Sequence, residues 1–124
     1  MIMLDTHIAI ALYEGRTSGL GIAAKRAIDR ETVTISPAVL LEIELLHEIG
    51  RLRVGATPVS MRLGEDLSIR VATERFADVA IEALALGFTR DPFDRLIVAH
   101  AALAKASLVT HDTTIRYRYP KAIG

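Results

Sequence analysis

Four acids in this chain stand where carboxylates are hard to accommodate, and their types and spacing are the first pointer to chemistry. Asp5 follows the apolar run MIML, Asp112 follows LVTH, Asp94 follows the turn RDPF, and Glu42 lies inside TISPAVLLEIELLHEIG. On a helix, at about 100° per residue, Ala38, Val39, Leu45, Leu46 and Ile49 all project within about 60° of Glu42, which places it at the centre of an apolar face. Glu44, His47 and Glu48 fall on the other side. An unpaired carboxylate buried there is strongly disfavoured or takes up a proton, so Glu42 needs a partner.

Each aspartate also has an ordinary role. Asp is a favoured helix N-cap and suits the first helical turn, beside the positive end of the helix dipole. In DPFDR, Asp91 can be the cap, Pro92 the first helical residue and Asp94 an acid reaching back toward the cap. Capping accounts for the aspartates but leaves Glu42 unexplained. A buried Arg or Lys, a bound proton, or a helix start near enough to solvent for the carboxylate to escape answers for Glu42 alone. One arrangement covers all four: if Asp5, Glu42, Asp94 and Asp112 converge, their mutual repulsion raises their pKa values unless a divalent cation lies between them. A set of oxygen donors suits Mg²⁺ or Mn²⁺ rather than zinc. Such a cation activates water and steadies the charge that develops when a phosphodiester is attacked.

The elements that must position these acids follow from the apolar patterning. Met1 to Leu4 has strand length and stops at Asp5, and HIAIALYEG reads as a short helix ending at Gly15. IAAKRAIDRE is an amphipathic helix, VTI a β-branched strand, and Pro37 and Gly50 bracket a helix from about residue 37 to 49. TPVSMRLGEDL predicts a short helix after Thr57 and Pro58, SIRVA a strand, and RFADVAIEALALG a helix closed by Gly87. RDPFDRLIVAHAALAKA has the all-round apolarity of a buried helix, SLVTHD is a strand stopping at Asp112, and TTIRYRYPKAIG allows one helical turn and a last short strand. Strands and helices alternating in this way imply a mostly parallel sheet with helices on both faces, and ligand sites in such sheets form at the carboxyl ends of the strands.

Composition narrows the classes. The chain has 124 residues, 51% of them hydrophobic and 24% charged, enough for one core, so a single domain spanning 1–124 is expected. Fifteen acidic residues balance fifteen basic ones, so any contact with a polyanion must come from local clustering. The absence of cysteine removes disulfides, thiolate nucleophiles and cysteine zinc sites, and a reducing cytoplasm is the default location. MIMLDTH has no basic leader, and LIVAHAALA contains His100 and falls short of a bilayer span, so neither export nor a membrane anchor is expected.

Taken together, LDTHIAIALYEG, SPAVLLEIELLHEIGRL, RDPFDRLIVAHAALAKASLVTHD and the closing YP resemble the PIN domain, and within it the VapC-like toxins of the DPFDR-containing branch. The likeness spans nearly the whole chain. It implies a three-layer α/β/α sandwich with a central mostly parallel sheet, acting as a metal-dependent ribonuclease that a cognate antitoxin neutralises, and it implies homodimerisation. The family's acids fall on Asp5, Glu42, Asp94 and Asp112. Asp91 is a further acid of this branch, and Thr6 and Thr110 match positions where small hydroxyl residues sit near the metal. His100 stands where relatives often carry Gln, and an isolated His in an apolar helix reads first as a hydrogen-bonded structural residue.

RNA would be met through backbone contacts, for which Arg90, Arg95, Arg116, Arg118 and Lys121 are the basic residues nearest the motifs, although each taken singly reads better as solvated surface charge. Tyr117 and Tyr119 can stack on bases or fill the core. Phosphohydrolases with an aspartyl nucleophile need a second Asp two residues after the first, yet Asp5 is followed by Thr6 and His7, and neither a receiver-domain acid set nor a glycine-rich phosphate loop is present. The rival outside enzymology is a binding module whose acidic pocket receives an Arg from a protein partner.

Overall fold

The computed structural model describes residues 1–124. In chain order the elements are β1 (Ile2–Leu4), α1 (Thr6–Tyr13), α2 (Ile22–Arg30), β2 (Val33–Ile35), α3 (Pro37–Glu48), α4 (Ala56–Leu67), β3 (Arg70–Val71), α5 (Phe76–Ala83), α6 (Pro92–Leu103), β4 (Ser107–Val109), α7 (Thr113–Arg118) and β5 (Ala122–Ile123). The strands form one five-stranded sheet in the order β3-β2-β1-β4-β5, and every pairing in it is parallel. Ile2, Met3 and Leu4 are all buried although successive strand residues point to opposite faces, so helices cover both sides of the sheet. The result is the α/β sandwich expected from the alternating pattern.

The central strand settles where the site must be. β1 pairs with β2 on one side and β4 on the other, with Leu4 opposite Val109, so the residues that follow β1 and β4 emerge together at one sheet edge. This is the position where the chain's winding reverses, the crevice that open parallel sheets use for ligands. The backbone N–H of Asp5 donates to the Val109 carbonyl at 2.9 Å, which locks the two strand ends together.

Local signals explain the helix that carries Glu42. Ser36 caps α3 by accepting from the Ala38 N–H at 3.2 Å, Pro37 sits at the first turn, and Gly50 ends the helix with φ +82°, a value that favours glycine. Its buried stripe differs from the expected one. Val39 and Ile43 are fully buried, whereas Leu41, Leu45 and Ile49 are exposed, so Glu42 flanks the buried stripe, half-buried, instead of lying at its centre. The apolar arc of α3 is wider than the surface that covers it.

Other boundaries also moved. α4 starts at Ala56, with Gly55 in the cap position and the Glu44 carboxylate accepting from the Ala56 N–H at 2.9 Å, and runs for 12 residues where a short helix after Pro58 was predicted. A distant side chain supplies that cap, and local sequence does not reveal it. The strand in SIRVA shrinks to Arg70–Val71 at the sheet edge, and α5 ends at Ala83, before Gly87. β4 stops at Val109 and Asp112 caps α7. Tyr119 is buried and donates to the Ala106 carbonyl at 2.6 Å, while Tyr117 is exposed. No helix is long and apolar enough to cross a membrane.

Candidate active site

Asp5 is buried at the end of β1 and caps α1. One of its oxygens accepts from the Thr6 N–H at 2.8 Å and the other from the Thr110 hydroxyl at 2.6 Å. The same Thr110 oxygen accepts from the Asp112 N–H at 3.0 Å, so one buried hydroxyl links two of the acids. Thr6, also buried, donates its hydroxyl to Oε1 of Glu42 and thereby ties the start of α1 to α3. Two adjacent strand ends and one helix are thus joined through threonine hydroxyls.

The remaining acids arrive on helix N-termini. Asp91 caps α6 by accepting from the N–H groups of Phe93 at 2.8 Å and Asp94 at 3.1 Å, so Asp94 is held in the first turn. Asp112 caps α7 by accepting from the Ile115 N–H at 2.9 Å. Capping and site placement therefore coincide: the cap geometry that explains each aspartate also aims it at the sheet edge.

Four acids act electrostatically on Asp94. Burial first, and then Asp91, Asp5, Asp112 and Glu42, together raise the Asp94 carboxyl from 3.8 to about 7. Burial likewise raises Glu42; the Thr6 hydroxyl opposes that, Asp5 and Asp91 add to it, and His7 lies close enough to oppose it. None of the molecule's ion pairs involves Asp5, Glu42, Asp94 or Asp112, so no internal guanidinium or ammonium neutralises them. With the side chains as they stand, no three acids or imidazoles are gathered into a ready metal-holding group. The donor set nevertheless fits a hard divalent cation: it is made only of oxygen atoms, and Asp94 as an anion is destabilised by four like charges.

The basic candidates separate on inspection. Arg95 is half-buried, its Nη2 donating to the Leu84 carbonyl at 3.4 Å, which makes it a tie between α6 and the end of α5. Arg90 is exposed and donates to the Gly87 carbonyl at 2.9 Å. Arg116 is exposed with its guanidinium against Gly124, and Arg118 and Lys121 are exposed. His100 is fully buried, with Nδ1 3.0 Å from the Ser36 hydroxyl and Nε2 2.8 Å from the Glu74 carboxylate. It therefore connects α6, the cap of α3 and the turn before α5. Nothing in the spacing of Glu74 pointed to this bond, because its partner lies 26 residues away.

A parallel sheet in the order 3-2-1-4-5 with Asp5 and Asp112 following its two adjacent central strands defines a class, and the chain belongs to it: this is a PIN domain, the family's model matching residues 2–119. Among curated proteins the chain is similar to Ribonuclease VapC22 of Mycobacterium tuberculosis, 29% identical over 126 residues that cover 98% of this chain and 95% of the relative. Among solved structures it is similar to a chain of a toxin-antitoxin complex from Klebsiella pneumoniae, with a TM-score of 0.68, 22% identity, and coverage of 100% of this chain and 97% of the other. It is also similar to a chain of VapBC2 from Rickettsia felis bound to a promoter DNA fragment, with a TM-score of 0.65, 22% identity, and coverage of 99% and 96%.

Proposed function

We propose that the chain is a metal-dependent endoribonuclease, the toxin of a type II toxin-antitoxin pair, in which Asp5, Glu42, Asp94 and Asp112 hold Mg²⁺ or Mn²⁺. The observation that carries this reading is geometric: Asp5 and Asp112 meet at adjacent strand ends through Thr110, Thr6 ties Glu42 to the same edge, and no ion pair offsets any of the four acids. Structural acids are not assembled in this way without a compensating ligand. The name of the Mycobacterium tuberculosis relative supports ribonuclease activity, and the solved toxin-antitoxin complexes support an antitoxin as partner.

A bound Mg²⁺ or Mn²⁺ supplies Lewis acidity at the scissile phosphate and makes water nucleophilic near neutral pH. The protein's own groups do the rest. Asp5 is held in place by two hydrogen bonds, from Thr6 and Thr110, that satisfy its oxygens. Thr6 orients Glu42, and Thr110 sets the spacing between Asp5 and the backbone of Asp112. Asp91 holds the first turn of α6 and so the position of Asp94. One of the four acids would accept the proton that the attacking water gives up.

The exposed side chains of Leu41, Phe76, Ile81 and Leu84 support a homodimer, and the protein would act in the cytoplasm. The test is cleavage of defined RNAs by purified protein with Mn²⁺ or Mg²⁺ and with chelator, beside Asp5→Asn and Asp94→Asn. Cutting that requires the cation and fails in both variants is expected. Cutting that survives chelator and both substitutions would expose a contaminating nuclease, and no cutting by the parent protein would favour a pocket that receives a partner's Arg.

A further inference from the structure

Beside the acids lies a cleft of about 430 Å³ that the mechanism above does not use. It runs between α1 and the turn that leads to β2's preceding helix, and its polar lining comes from His7, Arg16, Ser18, Gly19 and His111. Its size is within the range of small-ligand sites, roughly 300–1,000 Å³. No carboxylate lines it, which is notable beside a cluster of acids in a chain of zero net charge.

Chain connectivity fixes its relation to the site. His7 follows Thr6, the residue that bonds Glu42, and lies within electrostatic reach of that glutamate. His111 lies between Thr110 and Asp112, and Gly19 packs toward its ring, where an added Cβ would be 3.8 Å from Cε1. The turn at residues 17–19 therefore faces one imidazole, while the first turn of α1 contributes the other.

The donors are ready to be used. The backbone N–H groups of Ser18 and Gly19 make no bond to other backbone groups. Arg16 directs Nε and Nη2 at a single oxygen of Glu14, in an ion pair whose members are 66% and 40% exposed. Such a surface pair contributes about 0–1 kcal/mol, so a better acceptor displaces it easily. An imidazole presents at least one N–H donor in either protonation state, and a guanidinium forks two parallel bonds onto a phosphate.

We propose that this cleft is the subsite for an RNA backbone phosphate next to the one being cut, held by Arg16, His7, His111 and the N–H groups of the 17–19 turn. The assignment rests on the ribonuclease reading. The acids and their cation take the scissile phosphate, and the cleft takes its neighbour, which sets the path of the strand without reading bases. Phosphate contacts of this kind position a strand and make its affinity dependent on salt.

The experiment measures binding apart from cutting. Fluorescence anisotropy of a labelled single-stranded 12-nucleotide RNA is recorded with the full chain in EDTA at low and rising salt. It compares the parent protein, Arg16→Gln, the Arg16→Gln/His111→Gln pair, and Arg53→Gln as a control that removes the same charge from a different groove. The double variant should bind at least about tenfold more weakly, with a log–log salt slope reduced by roughly one, while Arg53→Gln changes affinity by less than about threefold. Inorganic phosphate at millimolar concentration should compete only weakly, since the subsite is one contact in a longer path. The melting temperature in EDTA should stay within a few degrees of the parent's for both Arg16→Gln and the double variant, which excludes misfolding.

Unchanged RNA affinity in the double variant, an equal loss in Arg53→Gln, or no measurable RNA binding by the parent protein at low salt would each overturn the subsite. Loss of binding in the double variant, alongside a parent protein that does not cut RNA with Mn²⁺, would keep the cleft as an RNA-phosphate contact and overturn the ribonuclease reading, and with it the cleft's place beside a scissile phosphate.

Discussion

Replacing Asp94 by Asn should stabilise the metal-free protein at neutral and alkaline pH, an unusual effect for removing an acid from the first turn of a helix. The carboxyl is raised from 3.8 to about 7, by burial first and then by Asp91, Asp5, Asp112 and Glu42. At 1.36 kcal/mol per unit, a rise of roughly three units sets an upper bound of about 4 kcal/mol on the destabilisation from the ionised form. Asp94 is only half-buried, so solvent screening reduces this to about 1–2 kcal/mol. Asn also forgoes the attraction of an acid to the α6 N-terminus, about 0.3–1 kcal/mol. The net gain is about 0–1.7 kcal/mol, centred near 0.9, or up to about 6 °C in melting temperature for a domain of this size.

The sign with pH follows from the raised value. Below the unfolded pKa the carboxyl is protonated in both states and contributes nothing. As pH climbs toward 7 the unfolded chain ionises first, so the folded state loses relative stability, and the deficit is complete above about 7. Circular-dichroism melts in EDTA should therefore show Asp94→Asn above the parent at pH 8 and level with it or below at pH 4. Addition of Mn²⁺ should reverse the order at pH 8 by stabilising the parent more. An Asn variant that is less stable than the parent at pH 8 in EDTA, or a difference that does not vary with pH, would refute the reasoning.

Thr110→Val removes a hydroxyl that serves both Asp5 and the Asp112 N–H; it should destabilise the fold by about 1–3 kcal/mol in denaturant titration and weaken Mn²⁺ binding by about 10–100-fold in calorimetry. His100→Ala should lower stability by about 2–4 kcal/mol, because it empties a buried position and leaves the Ser36 and Glu74 groups without their bonds. The hydrogen bond from His100 holds the Glu74 carboxyl below its ordinary 4.5, so that pairing supports the fold above about pH 4.5 and is lost as pH falls through the lower folded value. Glu74→Gln should accordingly show a flatter loss of stability with acid than the parent does.

The sheet and most helices were legible because period and punctuation agree: β1 is wholly apolar and stops at Asp5, and α3 is bracketed by Pro37 and Gly50. The edge that gathers Asp5 and Thr110 follows from parallel topology alone. What sequence could not give was set by contacts between distant elements. Glu44 caps α4 from α3, Thr6 bonds Glu42 across 36 residues, and Glu74 bonds His100. The width of the buried face of α3 was overstated for the same reason, since periodicity marks which residues are apolar and not how much of the arc a neighbour covers. Arg95 looked like a surface charge yet reaches a carbonyl at the end of α5.

The central claim is that Asp5, Glu42, Asp94 and Asp112 share a divalent cation. Crystals grown with Mn²⁺ and measured for anomalous scattering should show a peak bounded by those four carboxylates, with Asp94 turned toward it. A map with no manganese between them, in crystals whose solution protein cuts RNA only with Mn²⁺, would contradict it.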